Sequence, residues 1–239
     1  MSIRNQQRRL QFADEFVDAR LVEQVEDLTV DDGIVVNLDP APMIVGGPVP
    51  SVVPPWKSTM LRNGTIASAN RIAIIHVLRT TNLGGLTLQG EWDWFGNRLA
   101  KFPRTSPLYI SRYDEIGSTY VDPIAFANQR TAPGETSAFR MRLNLWWAPA
   151  DTDCSMHNEH PFLEIHTQIF GHGRIQKFLE RDEQSLYEEI SMAPGYTHDP
   201  FLHLESNGTP TYPWHRYYSD TDCIWLAIEF HPQTASAAV

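Results

Sequence analysis

Apolar and polar positions alternate along much of the chain after residue 60, and the clearest alternation lies in residues 137–147. Every second residue there is apolar: Phe139, Met141, Leu143 and Leu145. Arg140, Arg142 and Asn144 fall on the other side. Because successive side chains of a strand point to opposite faces, the apolar side predicts contact with a core. The polar side has two interpretations, a solvated outer face or a face that lines a ligand cavity inside a barrel.

Similar runs of strand-forming residues, separated by glycine or proline turns, continue to the end of the chain. We predict strands over 71–79, 85–95, 107–113, 118–126, 174–178, 185–192, 211–218 and 222–232. About ten short strands with little helix between them are typical of a β-barrel or a β-sandwich.

The first sixty residues follow a different pattern. Residues 5–30 are charged, with apolar side chains at steps of three and four, which predicts an amphipathic helix. From Gly33 to Trp56 short apolar pairs are broken by prolines. Proline fixes φ and removes a backbone donor, so we expect an extended arm that lies across a surface. Because such an arm often crosses to a neighbouring subunit, we also expect a homodimer.

Composition narrows the possible partners and the compartment. The chain has 239 residues, with 19 Lys and Arg against 29 Asp and Glu, and a formal net charge of -10. This balance argues against nucleic acid or an anionic membrane as the main partner. The sequence has no apolar run of the roughly 18 residues that a membrane span needs, and only two cysteines. We therefore expect a cytoplasmic protein whose main partner is neither nucleic acid nor a membrane.

Side chains of the kind that bind metal ions concentrate in residues 154–173, CSMHNEHPFLEIHTQIFGHG. They are His157, Glu159, His160 and Glu164. His166 follows two residues after Glu164, so the two point the same way in a strand. Imidazole and carboxylate suit Fe(II), Mn(II), Ni(II), Cu(II) or Zn(II), and an incomplete protein ligand set leaves positions for water, substrate or O₂. The alternative is that these are surface and turn residues with satisfied hydrogen bonds.

The spacing in this segment resembles the first motif of the cupin superfamily, which reads His-x-His, three or four residues, Glu, six residues, Gly. Glu164, six residues and Gly171 match, and His160 precedes Glu164 with a gap of three. The first His of the motif belongs at Asn158, one residue after His157. In the other register His157 comes first, with a gap of four before Glu164. That register places Glu159 where the second His belongs.

A second stretch resembles the second cupin motif, Pro-x-Gly-x-x-His. It reads Ala193-Pro194-Gly195-Tyr196-Thr197-His198, with the Gly-x-x-His part intact and the proline displaced by one residue. The later Asn of the family is Leu202. Together the two motifs extend the resemblance over about residues 137–232.

This resemblance implies an all-β, cupin-like double-stranded β-helix (jelly-roll) barrel, preceded by the predicted N-terminal helix and extended arm. We accordingly predict three parts. Residues 1–60 are the helix and proline-rich arm, 61–136 are further barrel strands or a degenerate first cupin half, and 137–239 are the metal-binding core.

The resemblance also implies a mononuclear metal enzyme that acts on a small organic molecule. The expected ligands are His157, His160, Glu164 and His198, and the expected ion is Fe(II), with Mn, Ni, Cu or Zn as alternatives. Glu164, His166 and Tyr196 are the candidate catalytic residues. Among cupin activities we favour an Fe(II)-dependent oxidoreductase of the dioxygenase type. A metal-dependent isomerase, lyase or cyclase needs only Lewis-acid polarisation and a proton carrier. A non-catalytic barrel that binds a small molecule is the third interpretation.

Overall fold

The computed structural model describes residues 3–128, 134–206 and 208–233 of the chain. These residues form antiparallel β-sheets, which confirms the prediction of an all-β fold. The strands in chain order are β1 (Gln6–Arg9), β2 (Val17–Asn37), β3 (Met43–Val45), β4 (Ser51–Val53), β5 (Ser58–Val77), β6 (Trp92–Trp94), β7 (Tyr109–Ser111), β8 (Asp114–Val121), β9 (Ser137–Ala148), β10 (Thr152–Asp153), β11 (Leu163–Phe170), β12 (Gly173–Phe178), β13 (Leu186–Met192), β14 (His203–Leu204), β15 (Pro210–Thr211), β16 (Trp214–Ser219) and β17 (Cys223–Pro232). In these same ranges, no helix is long and apolar enough to cross a membrane.

The predicted N-terminal helix is wrong, because these residues form β1 and the long strand β2. β2 pairs antiparallel with β5 from Val17 opposite Val77 onward, in a sheet ordered β1-β2-β5-β3-β4. A step of four residues keeps side chains on one face of a helix, but four is also a multiple of the strand period of two. Val17 and Leu21 are buried in one apolar core, whereas Val25, just after Gln24 with its positive φ, packs in a second core. The spacing therefore fits both structures, and pairing with β5 selects the strand.

The proline-rich segment is extended, but most of it belongs to this sheet rather than to a free arm. Its first residues complete β2, and β3 and β4 form a hairpin on β5, with Ile44 opposite Ser68. The homodimer that the arm suggested stays a prediction, as do the boundaries at residues 60 and 136.

Two predicted strands are shorter than expected. The 3₁₀ helix Leu83–Leu88 takes up the start of the predicted strand 85–95, and of that strand only β6 forms. β8 ends at Val121 because Asp122 accepts hydrogen bonds from the backbone of Ile124 and Ala125, which caps the short helix α1 (Pro123–Phe126). Proline at the first helical position favours the same ending.

The second sheet has the order β11-β17-β9-β7-β6, with β8 also paired to β9, and it is the middle layer of the molecule. One of its faces packs on the five-stranded sheet, where Leu143 and Ile228 share a core with Ile75. The other face packs on the third sheet, ordered β10-β16-β12-β13, where the Tyr217 and Trp225 rings stack at 4.1 Å. β14 and β15 pair separately. The second and third sheets enclose the barrel interior.

The polar face of β9 is turned toward this barrel interior. Asn144 is on the same face as Trp146, which packs in the core between the two barrel sheets. Asn144 is buried, Arg142 is half-buried, and Arg140 is exposed at the end of the strand. Asn144 thus faces the interior, whereas both arginines reach solvent in part and lie near the carboxylate of Glu115.

Candidate metal centre

The centre forms where the loop after β10 meets the start of β16. The backbone amide of His157 donates to the carbonyl of His215 at 2.9 Å, and the amide of His215 donates back to His157 at 2.9 Å. This reciprocal pair of hydrogen bonds fixes the two histidines side by side. His160 follows in the same loop, and its ring lies 5.1 Å from that of His215. A short loop and a strand start from a distant part of the chain thus bring three imidazoles together.

The three-histidine group, His157, His160 and His215, offers three ligand atoms that all lie within 4.8 Å of one another. The Nε2 atoms of His160 and His215 are 3.1 Å apart. Neighbouring ligands about 2.0–2.1 Å from a tetrahedral zinc-sized ion are separated by about 3.3 Å, so this pair already has suitable spacing. His215 is 5% exposed, whereas His157 is exposed at the rim. The group could therefore hold a metal ion.

Hydrogen bonds to backbone carbonyls select the ring nitrogen that remains available. His157 donates from Nδ1 to the carbonyl of Ser155 at 3.0 Å, and His215 donates from Nδ1 to Pro213 at 2.8 Å. In a neutral imidazole with its proton on Nδ1, Nε2 carries a lone pair. Metal-ligating histidines characteristically donate their other ring N–H in this way. Part of the His157 side chain reaches solvent, but desolvation of its ring by the packed neighbours still lowers its pKa, and burial lowers the pKa of His215, which favours the neutral form of both rings.

His160 has no proton position that satisfies both of its neighbours. Its Nδ1 lies 3.6 Å from Glu164 Oε2, and its Nε2 faces the lone pair of His215. A proton on Nε2 leaves the Nδ1 lone pair facing a carboxylate, and a proton on Nδ1 leaves two lone pairs facing each other. Burial lowers the pKa of His160 to about 4, which disfavours protonation of both nitrogens at pH 7. A metal ion bound by the Nε2 atoms resolves this conflict.

Glu164 lies behind His160 and beside His166. Its Oε1 is 3.3 Å from His166 Nε2, so the prediction that Glu164 and His166 share a face of β11 is confirmed. Burial acts to raise the pKa of Glu164, but the imidazoles around it, His166 foremost, outweigh burial and lower that pKa. The ion pairs that the described residues form with Glu164 involve only His160 and His166. Its carboxylate is therefore a buried negative charge whose neighbours are imidazoles.

His198, the predicted ligand from the second motif, lies next to His166 rather than in the three-histidine group. It is fully buried, and its ring donates from Nδ1 to the carbonyl of Asp199 at 2.8 Å. Its Nε2 accepts the backbone N–H of His166 at 2.8 Å. Both ring nitrogens are thus engaged by the backbone. The metal-ligand role of His198 stays a prediction, and in this arrangement its hydrogen bonds join two segments of the barrel.

The two motif glycines have a backbone conformation that other residues adopt rarely. Gly171 has φ of 72°, and a Cβ there would lie 1.9 Å from the carbonyl oxygen of Asp222. Gly195 has φ of 86° in the turn that leads to His198. Both turns therefore depend on glycine. This explains why the glycine part of each motif is intact where other motif positions differ.

The remaining predicted residues lie at the edge of the centre or outside it. Tyr196 is 43% exposed on the turn before His198, and its catalytic role stays a prediction. Glu159, which one register of the first motif placed at a ligand position, is exposed and is not part of the three-histidine group. Tyr212 was not predicted. Its hydroxyl donates to the carbonyl of Phe162 and accepts the backbone N–H of Glu164, both at 3.0 Å, and so fixes the start of β11.

His215 is the ligand-type residue that sequence motifs did not identify. It is the second residue of β16, and Tyr217, two residues later, packs in the barrel core. The period of two therefore turns His215 inward as well. That pattern was the available signal. The partner of His215 comes from a loop about sixty residues earlier, and no spacing rule along the chain joins them.

A cavity of about 440 Å³ lies on the other side of β11 from the three-histidine group. Its lining includes Trp56, Lys57, Phe126, Ile165 and His198. Ile165 lies between Glu164 and His166 in the strand and points to the opposite face. The cavity is thus separated from the metal centre by the strand itself.

No family model and no curated protein matches the chain. Among solved structures, a cupin-domain protein from Bordetella pertussis is 14% identical over 48% of this chain and 93% of its own, with a TM-score of 0.27. A cupin 2 conserved barrel domain protein from Leptotrichia buccalis is 9% identical over 96% of this chain and 91% of its own, with a TM-score of 0.28. A sugar phosphate isomerase of a cupin superfamily from Silicibacter pomeroyi is 16% identical over 42% of this chain and 54% of its own, with a TM-score of 0.27.

These structural neighbours carry the name of the superfamily that the two sequence motifs resemble. Their TM-scores are below 0.5 and their identities below 25%. The chemistry of the centre therefore has to follow from its own residues.

Proposed function

We propose that the chain is a mononuclear metal enzyme that acts on a small organic molecule, with the ion held by His157, His160 and His215. The observation that carries the proposal is the conflict at His160, whose two ring nitrogens face a lone pair and a carboxylate. A cation held by these ring nitrogens would leave the proton of His160 on Nδ1, facing Glu164. Carboxylates in this position orient metal-binding histidines and raise their basicity.

The finer proposal is Fe(II)-dependent oxygenation. Imidazole ligands suit iron, copper, nickel and zinc alike, and three protein ligands leave positions open for substrate. When bound, Fe(II) would supply the activation of O₂ that oxygenation needs. A Lewis-acid ion in the same site would instead support an isomerase, lyase or cyclase. The identity of the ion therefore separates the two classes of enzyme.

The chain itself supplies a pair of side chains that can carry a proton and an aromatic wall beside His215. His166 Nε2 and Glu164 Oε1 are 3.3 Å apart, close enough for a proton to pass between them, and both side chains are largely buried. This pair can therefore take a proton from a substrate group or give one to it. The rings of Phe201 and Tyr212 lie 5.0 Å and 5.7 Å from the ring of His215, and they exclude water from its inner side.

The test is the metal content of anaerobically purified protein, measured by mass spectrometry. We expect about one equivalent of a transition metal per chain and its loss in the variant His160→Ala. His172→Ala, which removes an exposed histidine, is the matched control and should keep the metal. Iron together with substrate-dependent O₂ consumption supports oxygenation, whereas zinc, nickel or manganese supports the Lewis-acid class. Absence of metal after reconstitution contradicts the proposed function.

A further inference from the structure

A lysine lies on the inner wall of the barrel beside the three-histidine group. Lys177 is on the same face of β12 as Ile175, which packs in the barrel core against Tyr217. In the β12–β16 pair Lys177 is directly opposite His215. Directly opposed residues of antiparallel strands point to the same side, with Cβ atoms about 4.5–5.5 Å apart. The lysine side chain therefore starts next to a candidate ligand.

The ammonium group of Lys177 is held inside the mouth of the barrel. Its side chain is 9% exposed, which is rare for lysine. The Nζ atom lies 5.3 Å from the centre of the Phe201 ring, and that ring is 5.0 Å from the ring of His215. One aromatic side chain thus separates the ammonium from the three-histidine group. Cation and ring attract each other, and this favours the inward position.

The partner of this ammonium is a carboxylate that solvent can reach. Glu188, opposite Lys177 on β13, forms an ion pair with it, and the Glu188 side chain is 46% exposed. A carboxylate at the rim can turn into water at little cost, whereas the lysine stays inside. The largely buried ammonium needs a negative partner, and Glu188 reaches it from the solvent side. The pair therefore suits exchange of one carboxylate for another.

The other cations of these two strands point to the outer face and are already bound. Arg216, opposite Gln176, contacts Asp153 and Glu183. Arg174 contacts Glu189 and Asp220. Of the cationic side chains on β12 and β16, Lys177 is the one on the inner face.

We propose that Lys177 binds the carboxylate of a small organic acid, which displaces Glu188 and lies against Phe201. This inference rests on the proposed function, because it assigns the substrate class of the same site. The carboxylate would fix one end of the substrate while its remaining atoms extend toward the three-histidine group. Glu188 then pairs with the Lys177 ammonium only while no acid is bound.

Titration calorimetry on protein freed of metal with a chelator tests this assignment. The probes are three acids, acetate, propionate and benzoate, each beside its neutral amide, acetamide, propionamide and benzamide. Wild type should bind at least one acid about tenfold tighter than its amide, a difference of about 1.4 kcal/mol. Lys177→Met should abolish that preference. Glu188→Gln should tighten binding of the same acid about threefold or more, because it removes the competing carboxylate.

Lys177→Met should weaken acid binding and Glu188→Gln should tighten it. These opposite effects distinguish a ligand-binding lysine from a merely structural ion pair. If the pair is structural, Lys177→Met and Glu188→Gln change stability alike and neither changes binding. Lys177→Arg keeps the charge and should keep part of the preference, which controls for misfolding of the methionine variant. Equal binding of acid and amide in all three pairs overturns the inference. Because these titrations need no metal, their failure is distinct from failure of the metal-content test.

Discussion

Among the histidines that the structure describes, the pair His160 and His215 differs from the pair His166 and His198 in what the backbone does to the ring nitrogens. In the pair His160 and His215, with Nε2 atoms 3.1 Å apart, backbone carbonyls engage only the Nδ1 of His215. In the pair His166 and His198, with Nε2 of His198 3.4 Å from Nδ1 of His166, the backbone engages both nitrogens of His198. On the proposed assignment of ligands, an available lone pair, rather than residue type or spacing, distinguishes the first pair from the second.

The largest expected effect on stability comes from His198→Ala. The substitution leaves the buried backbone N–H of His166 and the carbonyl of Asp199 without their partners and opens a cavity beside Phe201. We expect the free energy of unfolding to fall by about 2–4 kcal/mol, measured by urea denaturation. His198→Gln places an amide oxygen near the position of Nε2 and should recover part of this loss. An unchanged midpoint in His198→Ala would show that the ring is not structural.

The next largest expected effect is on metal affinity, and it tests the role of the Glu164 carboxylate beside His160. Glu164→Gln keeps the shape but removes the charge that faces His160 Nδ1. We expect metal affinity to fall by about 10–100-fold, as it does when an outer hydrogen-bonding partner of a ligand is lost. Competition with a coloured chelator measures this affinity.

Glu229→Gln is the matched control for this variant. Glu229 lies directly opposite Glu164 on β17 but pairs with Asn144 and His231. Metal affinity should stay unchanged in this variant. Equal losses in the two variants would mean that general negative charge, rather than the contact with His160, supports the ion.

The smallest effect concerns the attachment of the His198 segment to the five-stranded sheet. The Ser58 hydroxyl donates to the carbonyl of Gly195 at 2.8 Å and lies 2.6 Å from the Thr197 hydroxyl. Ser58→Ala should lower the free energy of unfolding by about 1 kcal/mol and leave metal content unchanged. Loss of metal in this variant would mean that the His198 segment belongs to the metal centre after all.

The barrel strands could be predicted from the sequence because one face of each is buried against a continuous core. β9 alternates cleanly, and its apolar face meets the five-stranded sheet, whereas residues 223–228 of β17 are all apolar and buried because both faces of this sheet are covered. The N-terminal residues could not be assigned by the same rule. Val17 and Leu21 recur at a spacing that a helix and a strand share, and the long-range pairing with β5 decides between them.

The candidate centre was predictable only in part for a related reason. His157, His160, Glu164 and His166 lie in one short segment, and their residue types and spacing indicated metal chemistry. His215 comes from a distant strand, and its position depends on the reciprocal backbone bridge to His157. The saturation of His198 by hydrogen bonds likewise depends on tertiary structure. Local patterns carry information about neighbours along the chain, and both of these features involve neighbours in space.

One measurement tests the central claim most directly: the metal stoichiometry of His215→Ala beside that of His198→Ala, each reconstituted anaerobically under conditions where circular dichroism shows it folded. We predict that His215→Ala loses the ion and that His198→Ala, although less stable, retains about one equivalent. Retention in His215→Ala together with loss in His198→Ala would contradict the three-histidine centre and return the ligand role to His198.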